Sequence, residues 1–140
     1  MEAPEMRFLI LQLTLLLAWQ TAGAQETIVF TGYPTTTVQS GTDYTTHVDL
    51  NGAKSSEYRV LIIARGGKYY WASRENKELM YFQHGITHWF ISKTSGYIKI
   101  IDPSLIPGNE EGVGQYVYME HLTILLDTIT YWGTGSELAP

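Results

Sequence analysis

From Thr27 onward, apolar and polar residues alternate in short runs rich in Thr, Tyr, Val, Ile and Trp, punctuated by Gly, Asn, Pro and Asp. A period of two sends successive side chains to opposite faces of an extended chain, so the pattern predicts strands. They are expected at 27–31, 35–39, 44–50, 59–65, 68–74, 86–93 and 97–102, with one or two more between 116 and 132. Strands at this spacing predict a mainly β chain built as a small antiparallel β-sandwich or barrel. One short helix is allowed at 75–81, where Ser73 is placed to cap and residues 76–79 contain good helix formers. The 116–132 segment reads two ways. Tyr118, Leu122, Leu125, Leu126, Ile129 and Trp132 fit a helical stripe, but the β-branched Thr123, Ile124, Thr128, Ile129 and Thr130 tip it toward strand.

Two hairpins are the firmest local expectations. Gly66-Gly67 supplies the positive φ angles of a two-residue turn, setting Ala64 opposite Tyr69, Ile63 opposite Tyr70, Ile62 opposite Trp71 and Leu61 opposite Ala72. The second turns at Thr94-Ser95-Gly96. Before that turn Ile86, His88 and Phe90 share one face, and Thr87, Trp89 and Ile91 the other.

The most apolar run lies ahead of all this, from Phe8 to Trp19, and Ala22-Gly23-Ala24 follows it as a small-x-small signal-peptidase pattern. A dozen residues fall short of the roughly 20 needed to cross the hydrocarbon core, so a cleaved leader over 1–24 is expected and a stable transmembrane span is not. The cleavage residues are Ala22 and Ala24, and the chain is expected to be secreted or periplasmic. Glu2 and Glu5 outnumber Arg7 ahead of the apolar run, the reverse of the usual basic start; initiation at Met6 would restore it. The mature part then reads as one β-rich domain over 25–132 with a fraying tail over 133–140.

There is no cysteine, which excludes disulfides, a lipid-modified cysteine anchor and thiolate metal sites. The net charge is −5, and −4 once Glu2, Glu5 and Arg7 leave with the leader; without a long basic run this excludes nucleic acid as a natural partner. No Asn-x-Ser/Thr sequon is present.

Candidate chemistry is sparse. His84, His88 and His121 beside Glu120 match zinc-ligand types, but Gly85 and the β-rich residues after it argue against a helix that would bring His84 and His88 together. On one strand they would stand about 13 Å apart, too far for one ion, so no metal site and no cofactor are expected. The first hairpin sets Arg65 against Lys68 and Arg59 against Arg74. Like charges across a sheet invite a bound anion, or neutralisation of Arg59 and Arg74 by Glu57, Glu75 or Glu78 with Arg65 and Lys68 standing in water. Aromatics make up 13% of the chain, and flat aromatic faces suit sugar rings and small apolar ligands. Trp71 reads as core. Trp89, whose face carries Thr87 and Lys93, reads as exposed.

The candidate ligand contacts are therefore Trp89, Tyr70, His88, Arg65 and Lys68, and no catalytic residue is nominated. Gly112-Val-Gly114-Gln-Tyr-Val117, Gly66-Gly67-Lys68 and Asp49-Leu-Asn51-Gly52 each lack the spacing of a dinucleotide, phosphate or calcium loop. No nucleophile elbow occurs. The leading expectation is an exported, non-catalytic β module that recognises a small molecule, glycan or envelope component. Alternatives are a partner-binding accessory protein of the cell envelope, and a small hydrolase using His and Glu or Asp.

Overall fold

The computed structural model describes residues 23–109 and 115–138. The apolar run from Phe8 to Trp19, Ala22 and the choice between Met1 and Met6 lie outside them, as does the first half of the glycine motif at 112–117; Ala24 is exposed just ahead of the first strand. The strands are β1 (Thr27–Ser40), β2 (Thr45–Asp49), β3 (Val60–Arg65), β4 (Lys68–Trp71), β5 (Lys77–His84), β6 (Thr87–Ser92), β7 (Gly96–Ile101), β8 (Tyr116–Ile124) and β9 (Asp127–Glu137). A short helix, α1 (Gly52–Glu57), joins β2 to β3.

Each strand pairs antiparallel with the next from β3 to β9, and β9 returns to pair with β1, so the sheet closes into an eight-stranded barrel with β2 as an extra strand. Closure removes the two exposed edges that an open sheet of this length would leave. β1 makes it work by serving three partners. One edge runs along β9 from Phe30 to Ser40, while the other pairs with β3 up to Gly32 and with β2 from Thr36. Pro34 sits at the register shift between those two stretches, where a residue with no N–H to donate is tolerated.

The interior is filled from both ends toward the middle by Phe30, Val60, Ile62, Trp71, Phe90, Ile98, Ile100 and Tyr118, all essentially without solvent contact. Rings of that size fit a barrel this narrow because the wall beside them has no side chains. Gly32 pairs with Gly135 across β1 and β9, and Gly133 pairs with Pro34. A Cβ on Gly135 would stand 2.4 Å from Phe30 Cζ and from the Thr31 carbonyl oxygen. Phe30 and Tyr118 meet edge-to-face over this strip, with centroids 5.5 Å apart.

Both predicted hairpins form. The first has Ile62 opposite Trp71, Ile63 opposite Tyr70 and Ala64 opposite Tyr69; the second has Ser92 opposite Gly96, placing its turn over Lys93-Thr94-Ser95. The 116–132 segment is the β8–β9 hairpin, and the strands expected at 27–31 and 35–39 are one continuous β1.

Four expectations are corrected. Residues 77–84 form β5 between β4 and β6, not a helix, and the Ser73 hydroxyl accepts from the Leu61 N–H at 2.9 Å instead of capping one. The short helix lies at Gly52–Glu57 instead. Arg59 and Arg74 are not opposed, because the β3–β4 ladder ends at Ile62 and Trp71 and the chain turns away. Residues 133–137 do not fray: β9 carries them between β1 and β8.

The β8–β9 turn is unusual. Ile124 pairs with Asp127, leaving Leu125-Leu126 as a two-residue loop in which Leu125 has φ 55° and the two side chains are 95% and 84% exposed. A glycine takes positive φ there without the steric cost a leucine incurs. Replacing Leu125 by Gly is expected to raise stability by about 0.5–1 kcal/mol in urea unfolding. Gly135→Ala, pressed against a backbone carbonyl that cannot yield, is expected to lower it by about 1–3 kcal/mol.

Candidate functional site

Inner and outer residues alternate around the barrel, so each open end is lined by whichever inward positions come last on their strands. At the end where β5 finishes and β6 begins, Tyr69, Tyr81, Gln83, His88, Thr27 and Leu138 surround a cavity of ≈ 500 Å³ with Phe90 at its floor. Tyr81 pairs with Phe90 and Gln83 with His88 across β5 and β6, which aims all four inward. Tyr69 packs against Tyr81 at 5.3 Å and edge-on to Phe90 at 5.4 Å, giving the mouth an aromatic wall.

The polar groups in this wall are few and ordered. Tyr81 Oη and His88 Nδ1 share a hydrogen bond of 3.0 Å, with their rings nearly parallel at 17°. Gln83 Nε2 donates to the Gly85 carbonyl, leaving its side-chain oxygen for other partners. Burial pushes the His88 imidazole below its usual value, against the weaker pull of the Asp102 carboxylate, and burial raises the Tyr81 phenol. Both groups are therefore neutral near pH 7. In the tautomer that accepts from the phenol at Nδ1, a neutral His88 carries its proton on Nε2 as a donor.

The opposite end is polar and charged. The Trp71 indole N–H donates to Glu120 Oε1 at 2.8 Å, and Arg74 Nη2 donates to Glu120 Oε2 at 2.7 Å. The carboxylate is fully buried, while the guanidinium keeps a fifth of its surface in a cavity of ≈ 590 Å³. Burial pushes the Glu120 carboxyl up to about 7, with Arg74 and Trp71 opposing it. Burial likewise raises the Tyr118 phenol, whose buried oxygen has no hydrogen-bond partner among the described residues.

Of the residues nominated from sequence, only His88 lines the mouth. Trp89 faces outward and stacks on Phe82 at 6.0 Å and 9°, with Lys99 Nζ 5.3 Å from its ring centroid, so neighbouring groups cover much of its flat face. Tyr70 lies under the Arg65 guanidinium at 4.5 Å. Arg65 and Lys68 oppose each other in the ladder as expected, but Glu26 reaches Arg65 at 2.8 Å and Glu78 reaches Lys68 at 3.3 Å. Those acids relieve the repulsion without an anion, and they correct the expectation that the two cations stand alone in water. Likewise Arg74 is met by Glu120, not by Glu57, Glu75 or Glu78.

The histidines do not converge. His84 faces outward opposite Thr87, His88 faces into the mouth, and His121 lies on the outer wall against Thr130 Oγ1 at 2.9 Å. No group of three or more His, Asp or Glu that could hold a metal ion occurs among the described residues. Tyr69, Tyr81 and Gln83 were missed from sequence. Their signal was the alternation that continues from the first hairpin through β5, hidden by the helix-like composition at 75–81.

No protein-family model, no curated protein and no solved structure matches this chain.

The raised Glu120 carboxyl has a definite stability consequence. Between its ordinary value of 4.5 and about 7 the folded chain holds a proton that the unfolded chain has lost, so this group's contribution falls as pH rises through that window. The change is about 3 kcal/mol. Glu120→Gln is expected to remove it: urea unfolding from pH 4.5 to 7 will show a shallower decline than in the wild type. His88, with its lowered value, contributes in the opposite sense in both proteins.

Proposed function

We propose that this chain is an exported, non-catalytic binding module that holds a small, flat, uncharged molecule in the mouth built by Tyr69, Tyr81, Gln83 and His88. The observation that carries the reading is the lining itself. Its described residues are apolar, aromatic or neutral polar, with His88 held neutral by burial, so an ionised ligand would lose its hydration there without a counter-charge. The volume lies within the range of about 300–1,000 Å³ usual for small-molecule sites. Tyr81 Oη, Gln83 Oε1 and the second ring nitrogen of His88 offer a directional donor and acceptors on one side of a ligand stacked against the rings. An exported location is supported by the apolar run from Phe8 to Trp19 followed by Ala22-Gly23-Ala24.

A second reading, a partner-docking accessory protein, is favoured by the Leu125-Leu126 tip. Two leucines held almost wholly in water, one at positive φ, have no stabilising role in the barrel itself.

Titration with N-phenyl-1-naphthylamine, a neutral flat fluorophore, tests the first reading. Saturable one-to-one binding is expected, weakened about tenfold or more by Tyr81→Ala or His88→Ala through lost stacking and hydrogen bonding. Trp89→Ala, on the outer wall, is expected to leave it unchanged. Equal loss in the Trp89 variant, or binding indifferent to Tyr81 and His88, would refute the site.

A further inference from the structure

The cavity at the opposite end has a chemistry that the mouth lacks. Lys77 is on the inner face of β5, directly across from the core residue Trp71, a position where a barrel ordinarily places an apolar side chain. Its ammonium donates to the buried Ser95 hydroxyl at 2.6 Å, and Ser95 Oγ is in turn 3.2 Å from Thr94 Oγ1. An ammonium has three N–H bonds, and Ser95 takes one. Glu75 Oε2, at 3.9 Å, is beyond hydrogen-bond length and 87% exposed, so solvent screens it.

Arg74 lines the same cavity. Nη2 is committed to Glu120 and Nη1 to the Ser73 carbonyl, two of the five N–H groups a guanidinium carries. The lining of this end therefore sets Lys77 and Arg74 against the buried Glu120 and the exposed Glu75. Leu122 and Ile124 complete the wall with apolar surface.

We infer that this cavity binds a small organic carboxylate, its two oxygens meeting Lys77, Arg74 and the Thr94–Ser95 hydroxyls and its hydrocarbon part lying on Leu122 and Ile124. The apolar wall favours a carboxylate with a short alkyl body over an inorganic ion, and the Lys77 ammonium beside the Ser95 and Thr94 hydroxyls offers donors to its oxygens. This second site is independent of the mouth: the filled interior around Phe30, Ile62, Ile98 and Tyr118 separates the two ends.

Isothermal titration of the folded chain with butyrate, its neutral isostere butyramide and inorganic phosphate, at constant ionic strength, tests the inference. Butyrate is expected to bind one-to-one and butyramide and phosphate at least about tenfold more weakly, the difference a charge-assisted hydrogen bond provides. Lys77→Met should weaken butyrate about tenfold or more while Lys77→Arg retains it within about threefold. Glu75→Gln, which removes a competing carboxylate, should strengthen it slightly. If Lys77→Met does not fold, Lys77→Gln takes its place. No saturable butyrate binding, equal binding of butyramide, tighter binding of phosphate, or indifference to Lys77 would each overturn the proposal. His88→Ala separates this inference from the mouth reading: it should leave butyrate binding intact, and loss of butyrate in that variant would place the carboxylate in the mouth and overturn the second site.

Discussion

The seam between β1 and β9 is the contact on which every other feature of this molecule depends. It turns a meander of adjacent hairpins into a closed wall, and only a closed wall has an inside for Trp71, Phe90 and Tyr118 to fill. The chain has no disulfide to hold such a closure, so the seam rests on backbone pairing and on what packs behind it. It is long, reaching from Phe30 to Ser40 on β1, and toward its Phe30 end it has glycine on both strands. Those glycines weaken the strands by their entropy yet let aromatic rings lie against the bare backbone. Local strand preference is exchanged for burial of the largest side chains.

A narrow barrel packed through its middle cannot carry a ligand through, and the cavities at its two ends have chemistries that are set separately. At one end the terminal inward positions are Tyr69, Tyr81 and His88; at the other they are Lys77, Ser95 and, from the turn after β4, Arg74. The Glu120 carboxylate stands between the core and the charged end. It satisfies the Trp71 indole and the Arg74 guanidinium at once, and removing either would strand a polar group beside the apolar interior. The pair therefore marks the depth at which the interior changes from dry to polar.

Much of this architecture was legible in the residues because hairpins are local. The Gly66-Gly67 turn and the alternation on either side of it set the β3–β4 register, and the face shared by Ile86, His88 and Phe90 is the inward face found. What escaped was whatever depended on distant partners. The gap expected between 27–31 and 35–39 is where β1 exchanges β3 for β2, with its register shift between Pro34 and Thr36. Glu75-Asn76-Lys77-Glu78-Leu79 has helix-forming composition, but Glu75 and Asn76 adopt positive φ in a turn and β5 is held extended by β4 and β6. Once β5 was misread, Tyr81 and Gln83 had no face, and the mouth could not be assembled around His88. The outer wall misled in the other direction: Trp89 faces out as expected, but Phe82 and Lys99, contributed by neighbouring strands, cover it.

The same alternation separates the acid–base groups that the sequence sets side by side. Glu120 and His121 are consecutive in β8, which in sequence suggests an acid–base couple, but consecutive residues of a strand point to opposite faces. Glu120 enters the barrel and pairs with Arg74, whereas His121 leaves it and stacks beneath Tyr97. His88 faces inward, but at the other end, where its ring partner is a phenol and not a carboxylate. Here the sheet separates Glu120 from His121 and the packed core separates Glu120 from His88, so the acid–base couple that Glu120-His121 suggests in sequence does not form.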